Sequence, residues 1–201
     1  MVHIARPLPY APGAVKGISE RTMTIHHDKL YQGYVNKRNE IEEKLAALEQ
    51  PELEASNQVY SLERGLSEGE TFAANGMILH EMFFDTLGGD DNPDGTHIGK
   101  ALVERYGSWK HFTDVFTAKG MAARGWAILA YDPSDTKLHI YTADAQNQGG
   151  VWGCTPLMGV DVYEHAYFMD YGSDRKAYIA SVLAAVDWKK VDETYKRVAR
   201  S

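Results

Sequence analysis

The stretch Asp161-Val162-Tyr163-Glu164-His165-Ala166-Tyr167-Phe168 places a carboxylate and an imidazole four residues apart in an aromatic-rich run. A carboxylate and a neutral imidazole are ligands that suit manganese, iron or zinc in a site without thiolates. Taken alone, the pair has two interpretations: two ligands of one metal ion, or a capped turn beside a buried histidine. The rest of the chain therefore has to decide between them.

Composition limits the kinds of protein and of metal site. The chain has 201 residues, of which 44% are hydrophobic, enough for a substantial core. The single Cys154 excludes an internal disulfide and any multi-cysteine zinc or iron–sulfur site, so a metal must use histidine and carboxylate ligands. The net charge of −7 argues against nucleic acid as the main partner, although an anionic substrate remains possible where basic side chains cluster.

The same composition gives an expectation for localisation. No stretch approaches the roughly 18 apolar residues of a membrane span. The N-terminus carries Arg6 and two prolines where a signal peptide needs an apolar core. We therefore expect a cytoplasmic protein without a membrane partner.

The first half of the chain has helical periodicity. Ser19 is a candidate N-cap, and the pattern predicts one long helix from there to residue 49, either straight or kinked. Gln50 and Pro51 are predicted to end it, and a second helix is predicted from about residue 66 or 70 to residue 87. The turn-rich stretch 88–95 then predicts a boundary between a helical hairpin domain, residues 1–88, and a second domain, residues 89–201.

The second half mixes helices and strands. Two short helices are predicted at 98–106 and 108–119, strands at 125–131, 138–142 and 156–160, and helical structure again from 178 to the C-terminus. The third strand would deliver Asp161 at its end. The predicted fold class is α+β: an antiparallel helical hairpin followed by an α/β domain with a small three-stranded antiparallel sheet, with a metal site between the two.

Two further histidines lie in amphipathic helical segments flanked by aromatic residues: His26 and His80. Either one alone can be a hydrogen-bonded core residue or a ligand. Together with Asp161 and His165 they supply three imidazoles and one carboxylate, a set that could hold one metal ion between the halves.

At these residues the chain resembles the iron/manganese superoxide dismutase family. The stretch 161–168 is similar to that family's signature D-V-W-E-H-A-Y-Y, and the segments around His26 and His80 resemble its two ligand-bearing helices. The resemblance covers nearly the whole chain. It implies four metal ligands and a gateway tyrosine in the substrate channel: His26, His80, Asp161 and His165, with Tyr34.

The resemblance also implies a reaction and a metal. The reaction is the disproportionation of superoxide into dioxygen and hydrogen peroxide, with the metal alternating between the +3 and +2 states. In the family a glutamine hydrogen-bonds the metal-bound solvent; Gln146 matches its manganese-type position, with Gln148 as the rival, and Gly76 occupies the iron-type position. Manganese is therefore the preferred cofactor, and iron is possible.

The resemblance implies an assembly as well. Glu164 matches the residue that reaches the partner subunit's metal-ligating histidine, here the partner subunit's His165. The expected assembly is a homodimer, or a tetramer built from such dimers.

Several positions depart from the family pattern. Leu30 and Phe168 stand where the family has a histidine and a tyrosine that bond across subunits, Tyr163 and Ile128 replace tryptophans, and Ile78 replaces a common aromatic. These departures keep open a catalytically degraded structural member of the same fold. A mononuclear metal hydrolase is the other alternative, but it would need a general base beside the metal, and none is evident besides Asp161.

Overall fold

The structure is a computed structural model and describes residues 2–199. Its first long helix has three connected parts: α1 (Glu20–Ile25), a π-helical segment (His26–Tyr31) and α2 (Gln32–Ala46). Ser19 caps it as predicted, because its side chain accepts a hydrogen bond from the Thr22 N–H. The long helix is thus confirmed, but its predicted end at residue 49 is wrong, since the helix ends at Ala46.

The connection to the next helix also differs from the prediction. Gln50 and Pro51 begin a short helix, α3 (Gln50–Glu54), instead of only ending the previous one. Proline suits this position because the first turn of a helix leaves its N–H groups unbonded anyway. The second long helix, α4 (Leu62–Asp85), begins earlier than predicted because Ser61 caps it. It packs against α2, so the helical hairpin is confirmed.

The second half contains α5 (His97–Tyr106) and α6 (Trp109–Ala122), close to their predicted bounds and capped by Thr96 and Ser108. Three strands follow: β1 (Trp126–Asp132), β2 (Lys137–Ala143) and β3 (Thr155–Asp161). They form the predicted antiparallel sheet in the order β2-β1-β3. β3 is an edge strand, which accommodates Pro156. The α+β fold class is therefore confirmed.

The C-terminal helices were predicted less well. α7 (Glu164–Tyr171) was not predicted, and the helical structure predicted from residue 178 begins slightly earlier and consists of α8 (Arg175–Ala184) and α9 (Trp188–Val198). The break falls where Val186 makes a bridge to Leu87 and the Asp187 side chain caps α9.

The core joins both halves of the chain, because α4 packs on β3 from one side while α5, α6 and α9 contact the strands. Within residues 2–199, no helix has both the length and the apolar character that crossing a membrane requires.

Candidate metal centre

The sheet register brings the end of β3 beside the start of β1. Asp161 pairs with Trp126, and Trp126 pairs on its other side with Ala143 at the end of β2. After Asp161 the chain turns into α7, and the Asp161 Oδ1 atom accepts a hydrogen bond from the Tyr163 N–H at 2.9 Å. This bond leaves Oδ2 free to face the helical hairpin, and the carboxylate is fully buried.

The three histidines surround that oxygen atom. His26 Nε2 and His165 Nε2 each lie 3.2 Å from Asp161 Oδ2, and His80 Nε2 lies 3.5 Å from it. One ligand atom from each of the four residues lies within 4.8 Å of all the others. The structure therefore brings together the four ligands that the resemblance implied, from the π-helical segment, α4, β3 and α7.

The His80 ring has the orientation of a metal ligand. Its Nδ1 atom lies 2.6 Å from the carbonyl oxygen of Gly76, which can only accept, so Nδ1 carries the proton. The deprotonated Nε2 is buried and makes no hydrogen bond within residues 2–199. A buried nitrogen lone pair without a donor is unfavourable unless something else binds it. The residues thus fit a metal ion, because a cation would bind this lone pair.

The ionisation states also suit a cation. Burial and the neighbouring His26 lower the pKa of His80 to about 3, so the ring is neutral near pH 7. Burial opposes ionisation of Asp161, but hydrogen bonds from His165 and His26 outweigh it and lower the pKa of that carboxyl. Asp161 therefore supplies an anion and His80 a neutral imidazole to the donor set.

Gln146 connects this centre to Tyr34. Trp126 Nε1 donates to Gln146 Oε1 at 2.8 Å, and Gln146 Nε2 donates to the Tyr34 hydroxyl oxygen at 3.2 Å. Because an indole N–H can only donate, the bond from Trp126 determines which way the amide points. The Tyr34 oxygen therefore accepts from Gln146, and its own proton remains available to another group.

The rival residue Gln148 is exposed, whereas Gln146 is buried. Gly76 lies directly under the Tyr34 ring: a Cβ atom there would come within 2.5 Å of Tyr34 Cδ1. A side chain at position 76 would consequently displace Tyr34. Burial, opposed by the Gln146 hydrogen bond, raises the pKa of Tyr34, which keeps its hydroxyl protonated.

Sequence reasoning missed one residue beside the centre. The Tyr31 ring stacks on His80 at 6.5 Å between centroids, and its hydroxyl donates to Glu81 while accepting from the Arg6 N–H. The contact between Tyr31 and His80 joins two different helices, so it depends on tertiary packing, which no local sequence pattern indicates.

The remaining predicted residues lie around the centre. Trp126 packs edge-on against His80, with centroids 5.3 Å apart. Tyr163 stacks on His165 at 5.3 Å. Glu164 and Phe168 are exposed on α7.

The fold and the buried donor set of three histidines and one aspartate are typical of a metalloprotein with a mononuclear site. Two family models match the chain: iron/manganese superoxide dismutases, alpha-hairpin domain, over residues 3–88, and iron/manganese superoxide dismutases, C-terminal domain, over residues 93–194. The chain therefore belongs to the iron/manganese superoxide dismutase family and is an oxidoreductase by that membership.

Several superoxide dismutases are similar to this chain over nearly their whole length. A protein named Mn superoxide dismutase 1 from Halobacterium salinarum is 35% identical, covering 96% of this chain and 94% of the relative. An Fe superoxide dismutase from Aquifex pyrophilus is 36% identical, covering 100% of this chain and 95% of the relative. One from Cupriavidus metallidurans, also named for Fe, is 34% identical over 100% of both chains.

Proposed function

We propose that this protein converts superoxide to dioxygen and hydrogen peroxide at one manganese or iron ion bound by His26, His80, Asp161 and His165. The observation that supports this proposal most is the buried, unbonded Nε2 atom of His80 among three further donor atoms. When bound, such an ion supplies one-electron chemistry, taking an electron from one superoxide and giving it to the next. The protein has to bind the ion, admit an anion and deliver protons.

Proton delivery is proposed for Tyr34, assisted by Gln146. Reduction of superoxide to hydrogen peroxide consumes two protons, and a phenol with a raised pKa holds its proton until a stronger base arrives. The Tyr34 hydroxyl accepts a hydrogen bond from Gln146, so its proton can be donated towards the site. The Gln146 amide has a second N–H, which is available to a group bound beside the ion.

An anion can reach Tyr34 from the helical hairpin. A cavity of about 500 Å³ is lined there by Tyr34, Lys29 and Lys37, with one acidic residue, Glu68. On a protein with a net charge of −7, local lysines offset a field that repels superoxide. We propose this side as the entrance.

We propose manganese as the preferred ion, with iron possible. The supporting features are the glutamine donated by the loop after β2 and the glycine at position 76, where Tyr34 leaves no room for a side chain. The similar proteins are named for both metals, so activity has to be measured with each ion.

We also propose a cytoplasmic homodimer, or a tetramer of such dimers, in which Glu164 reaches the partner subunit's His165. Glu164 is exposed, as are the apolar Phe168 and Met169 on the same helix, and His165 is partly accessible. If this face is the interface, Phe168→Asp should convert dimers into monomers in sedimentation velocity. A matched control is Met121→Asp, which adds the same charge at an exposed apolar residue outside α7.

Reconstitution tests the main proposal. Metal-free protein is loaded separately with manganese, iron and zinc, metal content is quantified, and superoxide dismutation is measured per bound ion. We expect high activity with manganese, lower activity with iron and none with zinc, which cannot change oxidation state.

A variant tests the ligand set. Asp161→Asn keeps the shape of the side chain but removes its negative charge, so metal affinity should fall roughly tenfold or more.

His111→Asn, at an exposed histidine of α6, is the control and should bind metal and turn over normally. Stoichiometric manganese or iron without dismutation would favour the structural alternative. Ester or phosphoester hydrolysis by the zinc form would favour the hydrolase.

A further inference from the structure

A second cavity is lined in part by Gln146 but not by Tyr34. It measures about 640 Å³ and is bounded by α4, by residues of β1 and β2, and by the loop 146–154. Its volume lies in the range of roughly 300–1,000 Å³ that is usual for small-molecule sites. The residues of its floor are buried: Leu79, Ile128, Ala130, Ala143 and Gln146.

The lining of this cavity is uncharged. None of the residues that form it is Asp, Glu, Lys, Arg or His, although a quarter of the chain is charged. Burying an ion without a partner is strongly unfavourable, so this lining selects against anions and cations alike. Its few polar groups include the Asn75 and Asn147 amides and the Tyr141 hydroxyl.

An aromatic side chain stands at the rim. Trp152 is 98% exposed and makes no ring contact with another aromatic residue of the described chain, yet it lines the cavity. Gly153 follows it with φ +93°, a backbone conformation that favours glycine. Exposing a whole indole to water is unfavourable unless a partner covers it.

We propose that this cavity binds a neutral, planar aromatic small molecule, which packs on Ile128 and Ala130 and stacks on Trp152. The cavity includes none of the four candidate metal ligands and touches the network beside them only through Gln146, and the proposal does not depend on the dismutase activity. The concave shape, the buried floor and the absence of charge fit a compact uncharged ligand better than a flat protein surface.

Two fluorescent probes with the same ring system test this proposal. N-phenyl-1-naphthylamine is neutral, and 8-anilinonaphthalene-1-sulfonate carries one added sulfonate. Each is titrated into the metal-loaded protein, and fluorescence gives the dissociation constant and stoichiometry. We expect one neutral probe per chain, with the sulfonate bound about tenfold more weakly because the lining offers no cation.

Three variants locate the site. Trp152→Ala should weaken binding of the neutral probe about fivefold through lost stacking. Ala74→Phe, on the α4 wall, should abolish binding by filling the cavity. Tyr60→Ala removes an equally exposed aromatic side chain, 91% accessible, far along the chain between α3 and α4, and should leave binding unchanged.

The proposal is overturned if the neutral probe does not saturate, if the sulfonate binds as tightly, or if Tyr60→Ala and Trp152→Ala have equal effects. It is also overturned if Trp152→Ala dissociates the oligomer in sedimentation velocity, because the cavity would then be covered by a second copy. The comparison of the two probes uses only the unaltered protein, so it tests the proposal even if a variant fails to fold.

Discussion

Replacing Gly76 by alanine would test how closely α4 holds the tyrosine beside the metal centre. The added Cβ would lie 2.5, 2.7 and 2.9 Å from three carbons of the Tyr34 ring, whereas ordinary contact begins near 3.4 Å. The ring must therefore retreat by about 0.9 Å. The bond from Gln146, already 3.2 Å long, would then exceed hydrogen-bonding distance.

Two magnitudes follow from this displacement. Overpacking costs roughly 1–3 kcal/mol, offset by about 0.5–1 kcal/mol because alanine favours a helix over glycine. A shift of this size in a proton donor lowers turnover by about ten- to a hundredfold. Metal content should be unchanged, because Gly76 binds His80 through its carbonyl oxygen.

The control is Gly65→Ala, in the same helix with nothing within 4 Å of the added Cβ. This change should stabilise the protein by about 0.5–1 kcal/mol and leave turnover intact. Urea denaturation and the dismutation rate per bound metal are measured for both variants. If Gly76→Ala is as stable and as active as Gly65→Ala, Tyr34 is not held as described and its proposed role fails.

Three more outcomes can be checked. Trp126→Phe keeps a ring but leaves the buried Gln146 oxygen without a donor, so the free energy of unfolding should fall by roughly 1–3 kcal/mol; unchanged stability in urea would contradict the bond. Asp192→Ala removes the buried carboxylate that accepts a hydrogen bond from the Ile98 N–H, so the free energy of unfolding should fall by about 2 kcal/mol. Its control, Asp114→Ala, breaks only an exposed ion pair with Lys110 and should lower that free energy by less than about 1 kcal/mol. In the metal-free protein, the pKa of His80 is 6.5 in the unfolded chain but about 3 in the folded chain. The free energy of unfolding should therefore fall as pH drops below 6.5, by roughly 1 kcal/mol per pH unit. His80→Gln should flatten that slope between pH 6.5 and about 5, above the unfolded pKa of Asp161, 3.8, and an unchanged slope would assign it to other groups.

The fold was predictable where the pattern is strong and local. Alternating and apolar runs located all three strands, and Ser19 and Ser108 marked helix starts. α4 began earlier than predicted because Gly65 and Gly69 weaken the helical pattern after its cap. α7 was missed because it has eight residues and no side-chain N-cap.

The site was predictable in its residues but not in its contacts. The spacing of Asp161 and His165 and the resemblance supplied the four candidate ligands, which the structure brings together. The bond from Trp126 that orients Gln146 joins residues twenty apart and depends on strand register, which no local pattern reveals. The cavity beside Trp152 was not predictable either, because it forms only when α4, the strands and the loop 146–154 pack together.

The π-helical segment lets the first long helix hold one extra residue without changing the direction in which its site residues face. In it Gln32 N–H bonds to His27 O, five residues earlier, so the segment accommodates one residue more than an α-helix would. Because the extra residue is taken up within the segment, removing one residue there would give a regular α-helix with Tyr34 still directed towards Gln146. In a regular helix the same deletion would rotate every following residue by about 100°. The segment therefore makes the positions of His26 and Tyr34 tolerant of a change in the length of the chain between them.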